Sequence, residues 1–113
     1  MGKAVHQSQV ETNPVNMEGV SGAQIQWLIN QQDNAPNFYM RRFTLAPNGH
    51  TPKHTHPYEH EVYILSGSGR VLLDDKWHSF EKDCAVYVEP DLEHQFQNTG
   101  TEPLVFLCLI PKT

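Results

Sequence analysis

From Gln24 onward the chain is cut into eight short apolar runs: "QIQWLIN", "NFYMRRFTLA", "HEVYILS", "RVLLDD", "WHSFE", "CAVYVE", "EHQFQN" and "LVFLCLI". Runs of this length suit strands and fall short of stable helices, and none repeats its apolar residues at a 3.6-residue period between caps. The separators "APNG", "SGSG", "DDK", "EKD", "EPDL" and "NTGTEP" are rich in Gly, Pro, Asn and Asp, which accept tight-turn geometry. Regular spacing of short strands and turns predicts an all-β sandwich or barrel. Residues 1–23, polar and broken by Pro14, Gly19 and Gly22, read as an N-terminal arm or edge strand ahead of a barrel domain over 24–113.

Two runs alternate cleanly. In "QIQWLIN", Ile25, Trp27 and Ile29 share a face; in "EHQFQN", His94 shares its face with Phe96, so this histidine is expected to point inward. With 113 residues the chain is one domain that can bury a core without staples. A net charge of -5 with only 8 Lys and Arg provides no basic face for phosphates and excludes nucleic acid as the expected partner. No apolar run approaches the roughly 20 residues of a membrane helix, and "MGKAVHQSQV" lacks the apolar block of an export signal. A cytoplasmic protein without a membrane partner is therefore expected. Cys84 and Cys108 lie in apolar runs and are expected to be free thiols.

The stretch "KHTHPYEHE", residues 53–61, carries the chemistry. His54 and His56, two apart in extended chain, present their rings on one side. Pro57 ends the run, His60 returns at the head of the next strand, and His94 arrives from a distant one. Imidazoles converging in this way form a site for a divalent transition metal, and Mn, Fe, Ni, Cu and Zn all accept such donors. His6, His50 and His78 have no partner at ligand spacing and read as ordinary residues. A ligating imidazole normally donates its second N–H to an acceptor. Glu59, Glu61, Glu93 and Asn98 are available for that, although Glu59 and Glu93 read better as solvated charges. Met40, Phe96, Phe106 and Cys108 are candidate pocket walls. Of the adjacent Arg41 and Arg42, one faces inward, where it would be an anion clamp.

These residues resemble the cupins, whose two motifs span a double-stranded β-helix, or jelly roll. In the first motif, G-x5-H-x-H-x3,4-E-x6-G, "HTH" supplies His54 and His56. With three intervening residues the glutamate slot falls on His60 and the closing glycine on Gly67; with four it falls on Glu61, and the glycine becomes Ser68. The spacing favours His60, with Glu61 as the alternative ligand. The second motif, G-x5-P-x-G-x2-H-x3-N, is met by His94 and Asn98, while its glycine slots hold Asp83 and Asp91; the first motif's opening slot holds Asn48. Asn and Asp tolerate turn conformations, so these departures bear on turns more than on the site.

Over residues 35–112 the chain is similar to small single-domain cupins that carry four histidines around manganese. The resemblance implies one divalent metal, manganese first, held by His54, His56, His60 and His94. It also implies an oxygenase-type enzyme acting on a small organic substrate. A Lewis-acid isomerase, cyclase or lyase and a non-catalytic binding module are the alternatives, since fold alone does not decide chemistry. An exposed sheet edge and the arm lead us to expect a homodimer.

Overall fold

The computed structural model describes residues 2–113. Its strands are β1 (Asn13–Pro14), β2 (Ser21–Ile29), β3 (Phe38–His50), β4 (His60–Ser66), β5 (Ser68–Leu73), β6 (Lys76–Glu81), β7 (Ala85–Val88), β8 (His94–Asn98) and β9 (Leu104–Pro111). Two short 3-10 turns, Gln7–Gln9 and Gln31–Asp33, are the only helical pieces among the described residues. None is long or apolar enough to cross a membrane. The eight expected runs thus appear as β2 to β9, and the architecture is the all-β jelly roll that was expected.

The strands form one curled sheet in the order β6-β5-β8-β3-β9-β4-β7, with β2 added beside β3 and β1 beside β2. The long β3 carries the sheet round its corner. Phe38 to Leu45 pair with β9, and beyond the bend at Asn48 the strand reaches β8 through His50 and Gln97. Register then aligns the inward residues in layers. Phe43 faces Phe106, Arg41 faces Cys108, and Val71 faces Phe96 across the ladders. Phe106, 1% exposed, stacks on Phe43 at 5.4 Å and on Phe96 at 5.0 Å, so three aromatic rings fill the middle of the barrel.

Turn chemistry explains why the motif survives its substitutions. Asn48, Asp83 and Asp91, which stand in glycine slots, all adopt left-handed backbone with φ of 66, 73 and 68°. Their short polar side chains make that region accessible. Gly67 has no such substitute: φ is 87°, and an added Cβ would lie 2.7 Å from the Pro103 carbonyl oxygen. Both the conformation and the space at this position require glycine.

The arm is tied to the sheet. Strand β2 begins at Ser21, inside the segment read as arm, and β1 pairs with Gln24 and Ile25. The Gln26 side chain, 4% exposed, donates to the carbonyl oxygens of Gln7 at 2.7 Å and Val10 at 3.2 Å, and accepts from Arg42 at 2.9 Å. A glutamine on the outer face of β2 therefore becomes the anchor of the arm. Cys84 and Cys108 are free thiols.

Candidate metal centre

The histidine stretch runs antiparallel to the start of β8. The His54 amide donates to the His94 carbonyl at 3.2 Å and the His94 amide to the His54 carbonyl at 3.0 Å. Just beyond, the Asp91 amide, in its left-handed turn, donates to the His56 carbonyl at 2.9 Å. These bonds set three rings side by side, with centroids 4.6 Å apart for His54 and His94, 4.8 Å for His56 and His94, and 5.1 Å for His54 and His56. One nitrogen from each of the three lies within 4.8 Å of the other two. These three histidines are positioned to bind a metal ion.

Each ring also has its tautomer set. Nδ1–H donates to a main-chain carbonyl two residues away: Pro52 for His54 at 2.9 Å, Tyr58 for His56 at 2.7 Å, and Leu92 for His94 at 2.8 Å. Nε2 is thereby left as a lone pair, which is the form a metal ligand needs. His94 is 2% exposed and its Nε2 has no hydrogen-bond partner. A buried nitrogen left unpaired in this way is costly unless something accepts its lone pair. The donor set fits a divalent transition metal on this observation.

His60, at the head of β4, stands against the same cluster but is wired differently. Its ring is 4.6 Å from that of His56 and 5.0 Å from that of His94. Its Nδ1 lies 3.2 Å from Arg41 Nη2, and a guanidinium only donates, so Nδ1 is an acceptor. The proton then sits on Nε2, which donates to His56 Nε2 at 2.8 Å. Cys108 Sγ is 3.2 Å from the same Nδ1.

Burial disfavours the charged form of His56, His60 and His94. Desolvation is the first cause that lowers the pKa of His56, His60 and His94; His60 is pushed down to about 2, with Arg41 and the neighbouring rings adding to the effect. In the unfolded chain these rings take up protons as pH falls below about 6.5, whereas in the fold they stay neutral. The unfolded state then binds more protons, so stability is lost as pH falls from about 6.5 towards the folded values. Denaturant midpoints of the metal-free protein should be flat above about pH 7 and decline below about 6.5, by up to about 1.4 kcal/mol per pH unit for each ring held neutral. His60→Phe should flatten the decline. Equal stability at neutral pH and in mild acid would contradict this account.

Several expected roles are corrected. Glu61 lies on the opposite face of β4 from His60, exposed and opposite Tyr87, because side chains alternate along a strand. Asn98 is buried at the far end of β8, bonded to main-chain groups rather than to an imidazole. Glu93, read as a solvated charge, is one: it pairs loosely with Lys53 at 3.9 Å on the surface. The acceptors for the ring N–H groups are backbone carbonyls, which no residue type could reveal. Met40 faces outward between Ile29 and Leu109, whereas Arg41 faces the interior.

The rings open into a cavity of about 250 Å³, whose walls include Arg41, Phe96, Phe106 and Cys108. Trp27, Phe43 and Tyr58 also line it, the last stacked on His56 at 3.9 Å. Sequence reasoning left these three unassigned, although Trp27 stands on the apolar face of its alternating run. Phe43 could have been found from its register two residues after Arg41.

Known proteins share parts of this sequence and its fold. Among curated proteins, the glucose-6-phosphate isomerase of Pyrococcus furiosus is 44% identical over 57 residues, which cover 45% of this chain and 30% of the relative. Protein SchB of Streptomyces halstedii is 33% identical over 67 residues, covering 58% of this chain and 49% of the relative. The chain thus spans less than half the length of these curated relatives. Among solved structures, the polyketide cyclase RemF from Streptomyces resistomycificus superposes with a TM-score of 0.93 at 30% identity, covering 100% of this chain and 81% of that one. A predicted oxalate decarboxylase from Thermotoga maritima, at a TM-score of 0.88 and 23% identity, shares the fold over 98% of this chain and 100% of that one. The family model for the cupin domain matches residues 41–110, the span that holds every inward histidine and most of the cavity wall, and the chain belongs to that family.

Proposed function

We propose that this cupin is a metal-dependent enzyme that activates a carbonyl or enol oxygen of a small organic substrate for isomerisation or cyclisation. The observation that carries the reading is the set of three imidazoles, His54 and His56 half-buried and His94 buried, with Nε2 lone pairs facing one apolar cavity. Likeness to a polyketide cyclase along the whole chain supports it. His54, His56 and His94 would hold one divalent transition metal, manganese first, with His60 as a fourth donor. A divalent ion bound there supplies a Lewis acid that polarises a substrate oxygen.

The protein's own contribution is preparation. Main-chain carbonyls hold three rings in one tautomer, burial lowers the pKa of His56 and His94, and the apolar walls limit water around the reacting oxygen. His60 can join only if its proton moves from Nε2 to Nδ1, where Cys108 Sγ, 3.2 Å away, can accept a hydrogen bond. Neutral imidazole donors also suit iron and manganese, which keeps a dioxygenase as the second reading.

The two readings separate in deuterated water with a simple 1,3-dicarbonyl compound as probe. Manganese-loaded protein should accelerate deuterium exchange at the acidic carbon, seen by NMR, without consuming dioxygen, and a chelator should stop it. Oxygen uptake in place of exchange would shift the assignment to an oxygenase. Neither activity, with metal bound, would leave a binding module.

A further inference from the structure

Arg41 carries a permanent charge into the cavity and finds no anion there. No Asp or Glu lines the cavity, and the ion pairs among the described residues are Lys3 with Asp33 and Lys53 with Glu93. Nη2 meets only the His60 ring at 3.2 Å and the Cys108 sulfur at 3.0 Å. Neither is a carboxylate, so no acidic side chain stands against the guanidinium. Nε is buried with no partner at all. A half-buried charge lacking both counterion and full hydrogen bonding is costly to keep, and folded proteins seldom leave one without a use.

The surroundings say what kind of anion would complete it. The guanidinium carbon lies 5.5 Å from the Trp27 ring centre and 5.0 Å from that of Phe43, so two aromatic faces hold it in place and flank whatever binds beside it. The cavity volume of about 250 Å³ equals roughly eight waters of liquid, enough for a ring-sized ligand. Among the described residues Arg41 is the only Arg or Lys in the lining, which offers one anion site and little to receive several hydroxyl groups; away from the histidines the wall is mostly apolar, with Val15, Val20 and Ile25 among its residues.

We infer that Arg41 receives a single oxyanion on a flat, apolar ligand, so that the cavity selects monoanions such as aromatic carboxylates over sugar phosphates. This rests on the reading of the cavity as the substrate site, and it sets the chain apart from the curated relatives named as glucose-6-phosphate isomerases. A phosphate dianion bearing a polyol would leave its hydroxyls unpaired against apolar walls.

The test is calorimetric titration of chelator-stripped protein with benzoate, benzamide and glucose 6-phosphate, with metal uptake measured separately. Benzoate and benzamide share one ring and differ in charge. Wild type should bind benzoate on the order of tenfold tighter than benzamide, and glucose 6-phosphate more weakly than benzoate. Arg41→Met should bring the benzoate-to-benzamide ratio close to one, while Arg42→Met, on the outer face, should preserve it. Equal binding of the two probes by wild type, a preference that survives Arg41→Met, tighter binding of glucose 6-phosphate, or binding of neither aromatic probe would each overturn the inference. The wild-type comparison decides even if Arg41→Met fails to fold. Because the titration is done without metal, failure of the metal reading appears as absent metal uptake with the benzoate preference intact. Failure of the Arg41 inference appears as the reverse.

Discussion

His56→Ala should lower metal affinity by more than about 100-fold, and Glu61→Ala should leave it unchanged. Loss of a hydrogen-bond partner one step outside a metal site typically costs 10–100-fold, and loss of a direct donor should exceed that. His56 is the central ring of the cluster, 5.1 Å from His54, 4.8 Å from His94 and 4.6 Å from His60 between centroids. Its position is fixed from two sides, by the Nδ1–H bond to Tyr58 and by the Tyr58 ring stacked on it. His60→Ala should cost less, about tenfold, because His60 must exchange its tautomer against Arg41 before it can donate a lone pair. Manganese or zinc titrations of stripped protein, with metal content checked by mass spectrometry, measure all three. Wild-type affinity in His56→Ala would remove the site, and loss of metal in Glu61→Ala would restore the carboxylate alternative.

The contrast between His60 and Glu61 shows where sequence information ends. Spacing to Gly67 favoured His60 over Glu61; Gly67 is the residue that the turn and the nearby Pro103 carbonyl cannot exchange, and in the fold His60 faces the cluster while Glu61 faces away. Parity along "HEVYILS" carried no such signal, since Tyr63 and Leu65 look as apolar as Val62 and Ile64; in the fold Tyr63 is 44% exposed and Val62 is 4%. The strands were legible because their punctuation is chemical. Asn48, Asp83 and Asp91 are residues that accept left-handed backbone, and each does.

Other features depend on contacts between segments distant in sequence. Arg41 and Arg42 are indistinguishable in "FYMRRFT", and only pairing of β3 with β9 directs Arg41 to Cys108, as pairing with β2 directs Arg42 to the outer glutamine. Gln26 reads as a solvent-facing residue of an alternating strand until the arm folds back and buries it. The carbonyls that set the three histidine tautomers belong to Pro52, Tyr58 and Leu92, and every residue has a carbonyl. No residue type announces that role.

Asn98→Ala should destabilise the protein by roughly 3 kcal/mol and leave metal affinity where it was. The motif places Asn98 four residues after His94, one of the three histidines positioned to bind a metal, yet its amide works on the chain. Nδ2–H groups donate to the carbonyls of Leu45 at 3.0 Å and Glu102 at 2.9 Å, and Oδ1 accepts from the Gly100 amide at 2.9 Å. One side chain, 3% exposed, thereby closes the turn from β8 to β9 and fastens it to β3. Truncation strands two carbonyls and one N–H, each at about 1–3 kcal/mol, and water entering the vacated space recovers part of that. For a domain of this size the loss corresponds to a drop of about 10 °C or more in Tm. Asn98→Asp keeps the shape but turns an acceptor towards two carbonyls, so it should be at least as damaging as alanine. Thermal unfolding of both variants, alongside metal titration, separates the roles: lost stability with intact metal binding places Asn98 in the fold, whereas lost metal binding at unchanged stability would return it to the site.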